Sequence, residues 1–137
     1  PIPDDAGCTT EVTPETTHIY CGGALLTFER LEADDVESLR QPENVALLDA
    51  DKLTYPLTVR RWNEGDAFVP FGMDSRKKIS DFLINNKVSL PDKRRQFVVT
   101  SENDIVWVVG RRIDDRYKVA PATENVLRIV RETDVEI

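Results

Sequence analysis

A chain of 137 residues, 40% hydrophobic and 31% charged, is long enough for one domain with a packed core and has the balance of a soluble fold. Its 18 Lys and Arg against 25 Asp and Glu leave a net charge of -7, which by itself argues against a nucleic-acid binder. No apolar run approaches the ~20 residues of a membrane-spanning helix, and Cys8, Cys21 and the sole histidine, His18, are too few for a zinc site.

Free thiols are expected of the two cysteines, and His18 is assigned no role. Nothing in Pro1 to Pro14 resembles a signal peptide, so a cytoplasmic location is expected. The sole methionine, Met73, lies well inside the chain, which points to a fragment of a longer protein.

Residues 1–16, rich in Pro, Thr and acids, show no helical or strand period and are expected to form an extended lead-in or linker. From His18 to Arg30, strand-forming residues surround Gly22-Gly23, the pattern of a bent strand or hairpin. The acidic span Leu31 to Asn44 suits a loop with one short helical turn, and Val45 to Leu48 reads as a strand. These elements make 17–56 a β-rich unit, closed by Tyr55-Pro56.

Leu57 to Trp62 alternates, with Leu57, Val59 and Arg61 on one face and Thr58, Arg60 and Trp62 on the other, the period of a strand. Asn63-Glu64-Gly65-Asp66 then forms a turn, where Asp66 serves local backbone amides rather than catalysis. Ile79, Phe82 and Leu83 share one helical face, which predicts a main helix over about 75–87 capped by Ser75. Its first turn would then hold Arg76, Lys77 and Lys78 against the helix dipole, to be offset either by a bound phosphate or by Asp74 and Asp81. Phe97 to Thr100 and Ile105 to Val109 predict a hairpin, and Arg112 to Val119 and Val126 to Val130 predict two more strands. About seven strands and one helix imply an α+β, mostly β chain with a sandwich-like arrangement of sheets.

The charge is unevenly spread. Residues 1–55 hold three cations against twelve acids, whereas residues 58–118 hold thirteen against nine. Basic clusters recur there as Arg60-Arg61, Arg76-Lys77-Lys78, Lys93-Arg94-Arg95 and Arg111-Arg112 with Arg116 and Lys118. They are either one phosphate-contacting surface or solvated faces paired with acids such as Asp81, Asp114 and Asp115.

Six elements occur in order between Leu57 and Val119: Arg60-Arg61-Trp62, Gly65-Asp66, Phe71-Gly72-Met73, Lys77-Lys78-x-Ser80-Asp81-Phe82, Val106-Trp107-Val108-x-Gly110 and Ile113-Asp114-x-Arg116-Tyr117-Lys118-Val119. Together they closely resemble the C-terminal domain of bacterial tRNA(Ile)-lysidine synthetases, and Ala46 to Lys52 resembles the approach to that domain. The resemblance assigns residues 57–131 to this domain type. It implies a parent ligase that uses ATP and Mg to attach lysine to the wobble cytidine of the minor isoleucine tRNA through an adenylated intermediate. That chemistry belongs in the family to an N-terminal domain with a Ser-Gly-Gly-x-Asp-Ser loop. Cys21-Gly22-Gly23-Ala24-Leu25 lacks its serine and aspartate, so no catalytic residue, metal ligand or cofactor is assigned here and the fragment is expected to be inactive alone.

The expected partners are the tRNA and the parent's own catalytic domain, with no membrane; the oligomeric state stays open, with a dimer suggested by the family. Clusters and resemblance converge on Arg60, Arg61, Lys77, Lys78, Lys87, Arg111, Arg112, Arg116 and Lys118 as tRNA-binding residues, with Arg61 alternatively a buried ion-pair partner. Trp62, Phe68, Phe71 and Trp107 are read as core rather than base-stacking. The rival reading is a non-catalytic protein-interaction module using the acidic segment 31–51. A hydrolase built on Asp66, Asp81 or Asp114-Asp115 has no accompanying nucleophile and base.

Overall fold

The computed structural model describes residues 9–21 and 24–132; Cys8, Gly22-Gly23 and the Cys21 side chain, with the expectations placed on them, lie outside what it describes. Eleven strands and two short helices are present among the described residues. The strands are β1 (Thr10–Val12), β2 (His18–Cys21), β3 (Ala24–Glu32), β4 (Val45–Asp49), β5 (Leu57–Arg61), β6 (Ala67–Phe68), β7 (Lys77–Lys78), β8 (Phe97–Ser101), β9 (Asp104–Val108), β10 (Arg112–Ile113) and β11 (Asn125–Glu132). The helices are α1 (Ile79–Asn85) and α2 (Leu90–Arg94).

Two antiparallel sheets form a sandwich. The first has the order β1-β5-β8-β9-β10 and the second β2-β3-β11-β4. In the second sheet β11, from the far end of the chain, lies between β3 and β4, with Ile129 opposite both Phe28 and Ala46. Leu26, Phe28, Ala46, Leu48, Leu127 and Ile129 of the second sheet meet Val12, Leu57, Val59, Phe97, Val99 and Trp107 of the first in one buried core. At about 25 cal/mol per Å² of apolar surface removed from water, such side chains are worth roughly 1.5–3 kcal/mol each.

The outer face of the first sheet carries a second core. Val98, Ile105 and Val108 pack there with Phe68 and with Ile79, Phe82 and Leu83 of α1. Phe68 and Phe82 meet edge to face, with ring centroids 5.1 Å apart. A bulge makes this double coverage possible: Val99 pairs with Trp107 but Thr100 with Ile105, so Val106 is an extra residue in β9. Strict alternation would put Ile105 and Trp107 on one face; the bulge sends Ile105 outward and Trp107 inward.

Several sequence expectations hold. The strand at 57–61, the hairpin of β8 and β9, the paired β2 and β3, and a single 3-10 turn at Ala33–Asp35 all occur. Others are corrected. The main helix begins at Ile79, not at Ser75, because Lys77 and Lys78 pair in extended form with Phe68 and Ala67. Lys78 is its N-cap without a side-chain capping bond, and the acid in its first turn is Asp81. The basic triplet therefore lies outside the first helical turn, with only Lys78 at the helix start as its N-cap, and the argument built on three cations in that turn loses its basis.

Likewise Arg112 to Val119 is not a strand. After β10 the Asp114 side chain caps a 3-10 turn at Asp115–Tyr117, accepting from the Arg116 amide, which ends the extended run. Thr10–Val12, expected in the lead-in, is an edge strand on β5 with Val12 buried in the core. α2 was not anticipated either; the Ser89 hydroxyl caps it at the Asp92 amide.

The Tyr55 hydroxyl is buried without a hydrogen-bond partner among the described residues. An unsatisfied polar atom of this kind costs about 1–3 kcal/mol. Tyr55→Phe should therefore leave stability unchanged or raise it by about 1 kcal/mol in urea unfolding; a loss of more than about 1 kcal/mol would show that the hydroxyl is satisfied.

Candidate nucleic-acid interface

The nine basic residues singled out from sequence fall into two groups. The first is held by the protein itself. Arg60 Nη1 lies 2.9 Å from Asp66 Oδ2, and the same carboxylate accepts from the Asn63 amide at 2.7 Å, so Asp66 is the turn residue expected of it. Arg61 is half-buried with its Nε shielded from solvent. Arg116 clasps the fully buried Asp114 with Nε to Oδ1 and Nη2 to Oδ2, both at 2.9 Å, and approaches Asp104 at 3.7 Å. Its hydrogen bond to Asp114 raises the guanidinium pKa above the ordinary arginine range and outweighs burial, which acts in the opposite direction.

Arg111 is anchored through Nε to Gln96 Oε1 at 2.7 Å, while Gln96 Nε2 donates to the carbonyls of Phe97 and Val109. A buried glutamine thus ties the end of the β8–β9 hairpin to a surface arginine. Lys118 Nζ sits 3.3 Å from Asp115.

The second group is unpaired by carboxylates among the described residues: Arg112, Lys77, Lys78 and Lys87. Arg112 lies 5.5 Å from the centroid of the Phe82 ring, which places β10 beside α1. Lys77 pairs with Phe68 and so shares its inward face, leaving its long stem half-covered, whereas Lys78 projects on the exposed face with Ala67. Lys87, just beyond α1, adopts φ +57° while its amide and that of Val88 close onto Ile84 and Leu83.

Between β6 and β7 the chain forms a loop that sequence reasoning misread. Phe71, expected in the core, is 50% exposed, and Met73 is exposed beside it. By contrast Phe68 and Trp107 are fully buried, as expected, and the Trp62 indole is half-buried with its N–H donated to the Lys93 carbonyl at 2.7 Å. The loop is firmly held despite its exposure. Asp114 Oδ2 accepts from the Val69 amide, Asp115 Oδ1 from the Gly72 amide, and the Phe71 amide donates to the Ile113 carbonyl at 3.0 Å. Gly72, at φ +93°, supplies the left-handed residue this turn requires. The Asp114-Asp115 pair, considered as catalytic, is therefore spent on backbone amides.

A cleft of about 320 Å³ opens where β10 meets β4 and the 39–43 segment, lined by Phe71, Ile113, Val45, Arg40, Arg111 and Lys118 among others. Arg40 escaped sequence reasoning because it lies alone in an acidic stretch; only the packing of the two sheets brings it to the basic side.

A sequence model of the family described as "TilS substrate C-terminal domain" matches residues 57–130, just over half of the chain. The chain belongs to this family. Over 102 residues it is 43% identical to a tRNA(Ile)-lysidine synthase of Parabacteroides distasonis, covering 74% of this chain and 23% of that protein. A synthase of the same name from Bacteroides thetaiotaomicron is 40% identical over 103 residues, covering 75% of this chain and 24% of the relative. The TilS-type chain thus spans about a quarter of the length of the curated relatives it matches. A crystal structure of a TilS C-terminal domain superposes with a TM-score of 0.72 at 18% identity, covering 98% of this chain and 95% of that one, which confirms the mostly β fold. An N-terminal fragment of the phenylalanyl-tRNA synthetase β-subunit from Pyrococcus horikoshii shares the fold more loosely, with a TM-score of 0.57 at 17% identity over 66% of this chain and 28% of that one.

Two outcomes test the geometry of this face in the TilS-type domain. Asp114→Asn should cost about 3 kcal/mol in chemical denaturation, since it removes the charge of a buried hydrogen-bonded ion pair; a loss under about 1 kcal/mol would contradict the central place of this carboxylate. Burial, together with the hydrogen bond to Asp104 Oδ2 at 2.7 Å, pushes the Tyr117 hydroxyl up to about 12. A raised pKa stabilises the fold below the unfolded value near 10, and that contribution is lost as pH climbs toward 12. Alkaline titration followed at the phenolate absorbance should show a step near pH 12 that Tyr117→Phe removes; an unchanged titration in that variant would count against the assignment.

Proposed function

We propose that this domain holds the body of the minor isoleucine tRNA for a parent tRNA(Ile)-lysidine synthetase, so that a separate catalytic domain of that enzyme can ligate lysine to the wobble cytidine. The relatives are named for this activity. ATP and Mg belong in this reading to the catalytic domain, and the domain alone performs no chemistry. Its partners are the tRNA and that catalytic domain, in the cytoplasm.

One observation carries the reading. Of the nine candidate cations, Arg112, Lys77, Lys78 and Lys87 have no carboxylate partner among the described residues, and all four lie on or beside one unit made of β10, the β6–β7 hairpin and α1. Cations satisfied inside the protein cannot release counterions from a nucleic acid; unpaired ones can, and their binding weakens with salt. Arg60, Arg116 and Lys118 are held by carboxylates in this reading, while Arg111 is bonded only through Nε and keeps its terminal nitrogens.

The acidic-segment alternative loses part of its basis. Asp51 accepts from the Glu124 and Asn125 amides and from the Asn125 side chain, and these bonds hold its pKa below the usual carboxylate range. Asp49 is buried and accepts from the Asp51 amide. Asp51 thus fastens the turn after β4 to the start of β11, and Asp49 caps that turn.

Binding of the minor isoleucine tRNA across a salt series, beside the double variant Lys77→Glu with Lys78→Glu, is the direct test. Wild-type affinity should fall with salt, and the variant should bind at least about tenfold more weakly with a shallower salt slope, since each lost phosphate contact removes about 0.7–0.9 from that slope. Salt-independent binding, or a variant indistinguishable from wild type, would refute the basic face.

A further inference from the structure

The tRNA-binding reading leaves the cleft beside β10 without a role. Phe71, Ile113, Val119, Leu39 and Val45 give it a largely apolar lining. Arg40, Arg111 and Lys118 also line it with a single acid, Glu43, and Lys118 is paired with Asp115 at 3.3 Å. The volume of about 320 Å³ lies at the small end of the ~300–1,000 Å³ typical of small-molecule sites, room for one flat ring system and its attachment.

We infer that this cleft receives one unpaired ribonucleotide of the bound RNA, its base against Phe71 and its phosphate at Arg40 and Arg111. The inference rests on the tRNA-binding reading. Phe71 is half-exposed in a loop whose backbone is held by hydrogen bonds to Ile113 and Asp115. The Phe71 amide is tied to Ile113, Gly72 to Asp115, and Asp115 back to the Val69 carbonyl at 2.7 Å. Such a ring pays little entropy on stacking, and stacking accepts any base because every base has a π-face.

The cations are likewise pre-set. Arg111 is fixed through Nε by Gln96, which leaves its terminal nitrogens for an anion. Arg111 also lines the neighbouring cleft, together with Arg131 and with Arg95, which is paired with Asp92. An acidic or apolar peptide would satisfy the cations or the apolar lining but not both at this size, whereas a nucleotide presents a flat apolar ring next to a phosphate.

The test compares an RNA hairpin ending bluntly with the same hairpin carrying a short unpaired 3′ extension, both titrated with this chain at low salt by fluorescence anisotropy. The extension should tighten wild-type binding by about tenfold, within the range measured for base–aromatic stacking. Phe71→Ala should erase that gain while leaving the blunt hairpin's affinity and salt slope unchanged, and Phe71→Tyr should keep it. Equal binding of the two hairpins, or an equal loss for both in Phe71→Ala, would overturn the inference while leaving tRNA binding intact. Competition by free AMP with no gain from the extension would reassign the cleft to a mononucleotide and overturn it too. If neither hairpin binds, the tRNA-binding reading itself fails, and this inference with it.

Discussion

Beneath the loop that carries Phe71, the Asp114 carboxylate is wholly excluded from solvent and accepts four hydrogen bonds, from the Val69 amide and from the Arg116 amide, Nε and Nη2. Burying an unpaired carboxylate would be prohibitive, so the bonds and the burial require one another. The Asp114 amide donates to the carbonyl of Val106, the extra residue of the β9 bulge. One residue therefore links the bulge that splits β9 between two cores, the turn that ends β10, and the loop between β6 and β7. Removing its charge would loosen the basic face and the second core together.

That dependence explains how an acidic protein can present a basic surface. Its clusters of Lys and Arg look alike in sequence, but the fold divides them. Some are consumed as structural counter-ions, as with Arg60 at Asp66 and Arg116 at Asp114. Others stay at the surface because their backbone is already committed: Lys78 to the ladder with Ala67, Lys87 to the left-handed close of α1, Arg112 to β10. The acids divide in the same way, so that Asp51 and Asp115 stabilise backbone amides instead of repelling phosphate.

The cleft follows from the sandwich. Sheet one ends at the two-residue β10 and sheet two at β4, and the ends meet without closing, so Phe71 and Arg40, far apart in the chain, face one gap.

Much of the architecture was legible from local pattern. Alternation of Leu57 and Val59, the Phe97–Ile105 hairpin, the Ile79, Phe82 and Leu83 stripe and the turn role of Asp66 depend on neighbours within a few residues, and all appear in the structure. Six short motifs in order sufficed to point to the family. What tertiary structure alone decided depends on partners remote in sequence. Lys77 and Lys78 became a strand because residues ten positions earlier offered a ladder, and Arg112 to Val119 broke because Asp114 found Val69 and Arg116. Phe71 is exposed, although its hydrophobicity argues for burial, because its backbone is fastened to Ile113 and Asp115 outside the core. Periodicity records which side of an element is apolar; which cations stay free, and which aromatic faces solvent, is settled only when distant strands meet.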